Sequence, residues 1–433
     1  MSNHYLRSRT EHFGMKICAV SQSFFPYTGG VSYYLLWLGR RCRELGHKLS
    51  IIHLRPKDSP IEEEIESIKV YRVPKEQPDP RVMEGYTRFK ELILKVFHGV
   101  ETSEEKLINR HLYGFNEYLT VNTHFAERVR EVYEKEPFDL LHVHDFQVLP
   151  LGSMLRDLKI PKIFTWHIPF TGNTSKAWID FIIKYMMEYD DVVLSTRAYV
   201  STAIHYGLPW NKVSCIPPFI TVEKPRENEF RRKYGIDRDE KIILCVARID
   251  SLKGQDRLVR ALPDIVKVLP KIKCVFIGNG SMTKDVLKAS EKKIYDQNLK
   301  QLVEDLRLKE IVIFTGSISR SELMQAYEAC DVVVLPSIME GFGLTITEGM
   351  AFGKPVIGSA TGGILVQIWP GINGYLVEPG DSRQLSEALI MILSNENLKR
   401  SLGAKAKEVY EREYSLERGV RDNLELYEHV LAT

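Results

Sequence analysis

The stretch "DVVVLPSIMEGFGLTITEGMAFGKPVIGS", residues 331–359, decides how the chain folds. "DVVVLPS" (331–337) is a β-branched run with no charge after Asp331, which suits a strand buried on both faces. Pro336 and Ser337 end it. Gly341 and Gly343 permit a tight turn, and "LTITEGMAF" reads as a short helix closed by Gly353 ahead of Lys354-Pro355. "KPVIGS" (354–359) then opens another strand. A helix that begins just past the carboxyl end of a parallel strand aims its free N–H groups into the crevice where such sheets bind ligands. An anion suits that position, so the carboxylates of Glu340 and Glu348 on either side of the turn need a reason. Taken alone, they read as charge complementing a helix N-terminus and as a solvated face.

The same alternation extends in both directions. Short apolar runs at 16–21, 49–54, 68–73, 139–144, 161–166, 191–196 and 212–217 are separated by amphipathic segments. The second half repeats the pattern at 241–247, 272–278, 310–316, 331–337, 354–359 and 373–379. This predicts an α/β protein with two doubly wound, Rossmann-like domains built on parallel sheets. Prolines and charges in "PPFITVEKPRENEF" (217–230) break the period and mark the junction. The expected units are an N-terminal domain over 15–217, a C-terminal domain over 218–412 and a Ser-capped terminal helix within 413–433. Residues 1–14 read as a loose polar extension with no apolar stretch of the kind a secretory signal needs. Residues 76–136 exceed an ordinary connection, and "VMEGYTRFKELILKVF" and "VNTHFAERVREVYEK" predict a helical insertion there.

Composition narrows the function classes. A length of 433 residues suits two or three domains, and 44% apolar with 27% charged residues is ordinary for a soluble globular chain. A net charge of +2 gives no field for nucleic acid or an acidic membrane. No apolar run approaches the roughly 18 residues of a membrane span. Cys18, Cys42, Cys215, Cys245, Cys274 and Cys330 lie in or beside apolar segments without a CxxC pair, and read as reduced core residues of a cytoplasmic protein.

Five further motifs stand at strand ends. In "FPYTGGV" (25–31), Gly29 and Gly30 either make a tight turn or let backbone N–H groups meet a phosphate or sugar hydroxyl. In "LHVHDFQ" (141–147), His142 and His144 share a face; zinc, a structural role and hydrogen bonding at a cleft mouth are the three readings. His144 and Asp145 are nearest the carboxyl edge, and "TWHIPF" (165–170) brings His167 to a comparable position. In "VARIDSLKG" (246–254), Arg248 and Lys253 bracket a loop between strand and helix, which suits a diphosphate whose charge grows as it leaves. "FIGNGS" (276–281) borders the same region. Neither GxGxxG nor GxxxxGK[ST] occurs, which argues against nicotinamide and P-loop chemistry.

With these motifs in hand, the chain resembles retaining glycosyltransferases of family 4 (glycosyl transferases group 1), which have the GT-B fold of two facing Rossmann-like domains. The resemblance runs from Met15 to the C-terminal helix and rests on "FFPYTGGV", "HVHD", "IPPF", "VARIDSLKG", "FIGNGS", "PSIMEGFGLTITEGMAFGKPVIGSATGG" and "NGYLVEPGD". It implies a hexosyltransferase that uses a nucleotide-diphosphate sugar, with no metal and no cofactor. By the resemblance, Glu340 binds donor-sugar hydroxyls and Glu348 the ribose, while Gly343, Leu344 and Thr345 receive the diphosphate. Arg248 and Lys253 stabilise the leaving group, His144 contacts the sugar from the other domain, and Gly29 and Gly30 border diphosphate and acceptor. Asp145 and His167 are the acceptor-side candidates. "HDFQVLPLG" is also somewhat similar to trehalose- or sucrose-type synthases, which implies a small sugar or sugar-phosphate acceptor. The alternatives are a lipid-linked or glycan acceptor at a membrane surface, a nucleotide-sugar epimerase, and a non-catalytic sugar-binding protein. The insertion has no generic counterpart and is expected over the acceptor cleft. Its Tyr86, Arg88, Phe89, Lys90 and Phe97 form either a helical packing face or a peripheral contact with lipid headgroups. Pro218-Phe219 stands where many relatives have Asn-Gly.

Overall fold

A computed structural model describes residues 14–27, 29–76, 79–278 and 289–433. The expected extension, Gly14 apart, lies outside the described residues, as do Thr28 and the Asn279-Gly280-Ser281 end of "FIGNGS".

Fourteen strands among the described residues form two sheets. The first domain supplies β1 (Lys16–Ser21), β2 (Lys48–Leu54), β3 (Glu62–Ile65), β4 (Ile68–Val73), β5 (Leu140–His144), β6 (Lys162–Trp166), β7 (Asp191–Leu194) and β8 (Val213–Cys215). The second supplies β9 (Lys241–Val246), β10 (Ile272–Ile277), β11 (Val312–Gly316), β12 (Val332–Leu335), β13 (Val356–Ser359) and β14 (Gly374–Val377). Their orders are β3-β4-β2-β1-β5-β6-β7-β8 and β11-β10-β9-β12-β13-β14. Every neighbouring pair is parallel except β3–β4. The central strands β5, β6 and β12 are buried along their whole length; β12 is wholly apolar, whereas β5 and β6 also bury His142, His144, Lys162 and Thr165. Register aligns Ser21 with His144 and His144 with Thr165, so the carboxyl ends of β1, β5 and β6 form one edge.

The sequence reading missed β3. Its "EEEI" carries no apolar alternation because it is an exposed edge strand, hairpinned to β4 through Glu66 and Ser67 at φ 51° and 64°. Its glutamates serve tertiary partners instead: Glu63 pairs with buried Arg72, and Glu62 lies 2.6 Å from buried Arg128. Charge along an edge also discourages pairing with another chain.

The insertion consists mainly of two helices, Pro80–Phe97 and Phe115–Lys135. Asp79 caps the first by accepting from the Arg81 N–H, with Pro80 pre-set at the opening turn. Tyr86, Phe89 and Phe97 are buried, and the Phe97 ring sits 4.8 Å from that of Trp166 in β6. These aromatics form a packing face and are not available to a lipid surface. Among the described residues no helix is long and apolar enough to cross a membrane.

The chain passes between domains twice, side by side. Ile220 on the outward passage donates its N–H to the Tyr414 carbonyl at 3.1 Å and bridges Ser415 on the return. The final helix, Leu416–Ala432, then packs on the first domain, burying Asn423 and Tyr427. The Tyr34 hydroxyl donates to Asn423 Oδ1 at 3.0 Å. Gly419 permits the approach: a Cβ there would lie 2.0 Å from Phe219 Cδ1. All six cysteines are free; five are buried, but Cys215, expected in the core, is exposed because β8 is the edge strand.

Candidate active site

The cleft between the two sheets has a volume of about 670 Å³. Its second-domain wall is the turn that opened the sequence argument. Gly343 stands at φ 88°, a left-handed conformation in which a Cβ is strained, and starts the helix Leu344–Ala351. The Thr345 hydroxyl donates to the Val246 carbonyl at 2.7 Å, tying that helix to the end of β9. Gly343 and Leu344 line the cleft, whereas Thr345 braces them from behind.

Charge on this wall is already matched. Lys253 Nζ lies 2.8 Å from Glu340 Oε2, which also accepts from the Ser337 hydroxyl at 3.0 Å. The Gly341 N–H donates to Glu340 Oε1 at 3.1 Å. Burial alone would raise the Glu340 carboxyl, but Lys253 and these two donors together hold it below the usual glutamate range. Glu348 accepts from Arg320 at 2.5 Å and from the Tyr327 hydroxyl at 2.6 Å. Arg248 lies 3.5 Å from Asp250 and, like Lys253, lines the cleft. The two expected cations therefore converge with the helix start and with both glutamates.

The first-domain wall is built differently. Gly29 and Gly30 open the helix Gly30–Glu44, and a Cβ on Gly30 would stand 3.5 Å from Leu344 across the cleft. Asp145, at φ 74° just beyond β5, is buried and accepts from the His167 N–H at 3.3 Å. Burial pushes its carboxyl up to about 6, only partly offset by N–H groups of Phe146 and His167 and by Gln147. His167 lines the cleft; His144, expected to touch the sugar, is fully buried behind it, with His144 Nδ1 3.1 Å from His167 Nε2. His142 is further back still, bonded to the Tyr427 hydroxyl and Thr165 Oγ1, both at 2.7 Å. Burial lowers the pKa of all three imidazoles: His142 to about 3, His167 to about 4, and His144 well below the usual value. The histidine pair that suggested a metal is thus a structural ladder feeding His167.

Sequence reasoning missed four side chains on the cleft. Arg320 opens a helix shortly past the end of β11, the same kind of position that flagged Glu340, and its guanidinium sits 5.8 Å from the Tyr33 ring of the other domain. Tyr33 and Trp37, one helical turn apart, look like core residues in the sequence but face the cleft. His98 ends the first insertion helix and carries no motif at all. The domains also touch directly, the Tyr199 hydroxyl donating to the Gly341 carbonyl at 3.1 Å.

Two family models match the chain: Glycosyltransferase Family 4 over residues 28–224 and Glycosyl transferases group 1 over residues 226–409. A trehalose synthase of Pyrococcus horikoshii is 29% identical over 76% of this chain and 76% of its own length. The structure resembles sucrose-phosphate synthase from Thermosynechococcus elongatus, with a TM-score of 0.74 at 21% identity over 96% of this chain and 99% of that one. It also resembles Anabaena HepE in complex with UDP-glucose, with a TM-score of 0.70 at 18% identity over 96% and 100% of the two chains.

Proposed function

The chain belongs to glycosyltransferase family 4, and on that premise we propose that it moves a hexose from a nucleotide-diphosphate sugar to a hydroxyl of a small sugar or sugar phosphate, with retention and without a metal. One observation carries the reading: Lys253, Arg248, the Gly343–Leu344 helix start, Glu340 and Glu348 all line one cleft opposite Gly29 and Gly30. The diphosphate lies on the helix start, where peptide N–H groups and two cations meet its growing charge. As the bond from C1 to the phosphate oxygen breaks, the acceptor oxygen bonds to C1 on the same face. The acceptor's proton goes to the departing phosphate oxygen. The protein contributes alignment and preorganised charge.

The names of the relatives, a trehalose synthase and a sucrose-phosphate synthase, support a sugar acceptor, and the UDP-glucose of the Anabaena complex supports the donor class. Lys90 favours an acceptor that carries phosphate. Its half-buried ammonium donates to Gln22 Oε1 at 3.1 Å and lies 5.3 Å from the Tyr86 ring centroid, and the adjacent Glu91 carboxylate only partly offsets its burial. Gln22 follows Ser21, the register partner of His144, so this cation stands at the same sheet edge as Asp145. Burial lowers the Lys90 pKa to about 8, a cost that an anion would relieve. The reading is of a cytoplasmic enzyme, in keeping with six unpaired cysteines.

The test is a thermal-shift panel of UDP, GDP and ADP with their glucose esters, followed by transfer to matched neutral and phosphorylated sugars. A nucleoside diphosphate and its sugar ester should raise the melting temperature by mass action. The product should keep the donor's anomeric configuration by NMR, and a chelator should leave turnover unchanged. Stabilisation by none of the six ligands would overturn the donor assignment, and an inverted product would overturn retention.

A further inference from the structure

Helix Pro80–Phe97 belongs to the insertion of the acceptor domain, yet its end reaches the donor side of the cleft. The C-cap residue His98 lines the cleft together with Lys253, Glu340 and Arg248. A Cβ on the next residue, Gly99, would come within 2.9 Å of Met339 Cε, so the corner of the insertion sits directly on the loop that carries Glu340. Gly99 has φ 66°, which suits a residue that turns the chain away without a side chain in the gap.

The ring is oriented by its own helix. His98 Nδ1 lies 2.8 Å from the Leu94 carbonyl oxygen, which can only accept, so Nδ1 carries the proton. In the neutral imidazole Nε2 is then a bare acceptor. It has no hydrogen-bond partner among the described residues, and it is not sealed in the interior, so it meets the cleft. Burial first, and then the nearby positive charges of Lys253 and Arg248, favour the neutral ring; the Leu94 hydrogen bond and Glu340 oppose them without reversing the shift. A lone pair is repelled by a diphosphate, and the acceptor's attacking oxygen belongs to the wall of Asp145 and His167. The partner left for it is an O–H donor held near Glu340.

We propose that His98 recognises the transferred sugar, its Nε2 accepting a hydrogen bond from a hydroxyl of the hexose while Glu340 holds others. This rests on the nucleotide-sugar reading above. It makes the insertion, present on the acceptor domain, a selector of the donor sugar: a sugar without a hydroxyl at that point leaves Nε2 desolvated and unpaired.

Calorimetric titration of UDP, GDP, ADP and their glucose esters into wild type, His98→Phe and His98→Gln separates the outcomes. The glucose ester should bind His98→Phe roughly five- to thirtyfold more weakly, the range for a neutral hydrogen bond lost in a buried site. The matching nucleoside diphosphate should bind all three chains alike, which also verifies that the variants fold. His98→Gln, which keeps an acceptor at similar reach, should recover most of the loss. Equal weakening of diphosphate and glucose ester, or no weakening of either, overturns the assignment. If none of the six probes binds wild type, the transferase reading fails and takes this proposal with it. Binding of the diphosphate with an unaltered glucose-ester affinity in His98→Phe defeats the role of His98 alone.

Discussion

Glu340 and Asp145 line the same cleft from opposite walls, and their surroundings treat them in opposite ways. Glu340 accepts from Lys253, Ser337 and the Gly341 N–H, and is held ionised below its usual range. Asp145 has only backbone and amide donors, and burial pushes it up to about 6. The donor wall also pairs Glu348 with Arg320 and Tyr327, so its charges are balanced before any ligand arrives. The acceptor wall is a neutral histidine ladder with one uneasy carboxyl. On the proposed function, a wall that receives a diphosphate gains by holding its cations in position against local carboxylates, because the ligand then exchanges one partner for another without moving them. On the same proposal, a wall that receives a hydroxyl gains by leaving an acceptor short of donors.

Three substitutions would break or sharpen this contrast. Lys253→Ala should act most strongly, cutting turnover by roughly 10²–10³-fold, the scale of losing one preorganised charge stabiliser. The acceptor KM should change far less, as steady-state kinetics would reveal; normal turnover would remove Lys253 from the mechanism. Glu340→Gln should destabilise the folded chain by about 2 kcal/mol at pH 7 in urea unfolding, because it leaves a half-buried ammonium without its counter-charge. A carboxyl held below its usual pKa stabilises the fold above the unfolded value and loses that contribution as pH falls through the folded one, so the deficit should shrink below about pH 4.

Asp145→Asn should have the smallest effect and the opposite sign. A carboxyl whose folded pKa is raised favours the fold when protonated and loses that support as pH rises through about 6. The asparagine variant should therefore be about 1 kcal/mol more stable than wild type at pH 8 and no more stable at pH 4.5. A variant less stable than wild type at pH 8 would mean that the Asp145 carboxylate is paired more strongly than its neighbours indicate.

The same contrast governs what the sequence reveals. The second-domain wall is legible because its chemistry is local: strand, turn, two glycines and two carboxylates lie within residues 332–348, and Arg248 and Lys253 flank one loop. The parallel sheets followed from unbroken apolar runs, and only charged β3 escaped that rule. The acceptor wall depends on where elements meet. Nothing in "HVHD" tells that His144 stacks behind His167, and nothing in an amphipathic helix tells which end overhangs a cleft, so His98 went unseen. Arg320 was within reach, since it follows a strand's carboxyl end at a helix start, but a lone arginine there gives no reason to choose it. The terminal helix was foreseen as a helix; its seat against Tyr34 and His142 was not.

That seat has a practical meaning for anyone dissecting the molecule. The seventeen residues of helix Leu416–Ala432 come after the second domain in sequence but complete the core of the first. A fragment stopped at the first crossing would leave Tyr34 and His142 without Asn423 and Tyr427. Grafting the second domain onto a cousin would import a foreign tail unless the chimaera switched back at Ser415. During synthesis, too, the first domain stays incomplete until helix Leu416–Ala432 has emerged.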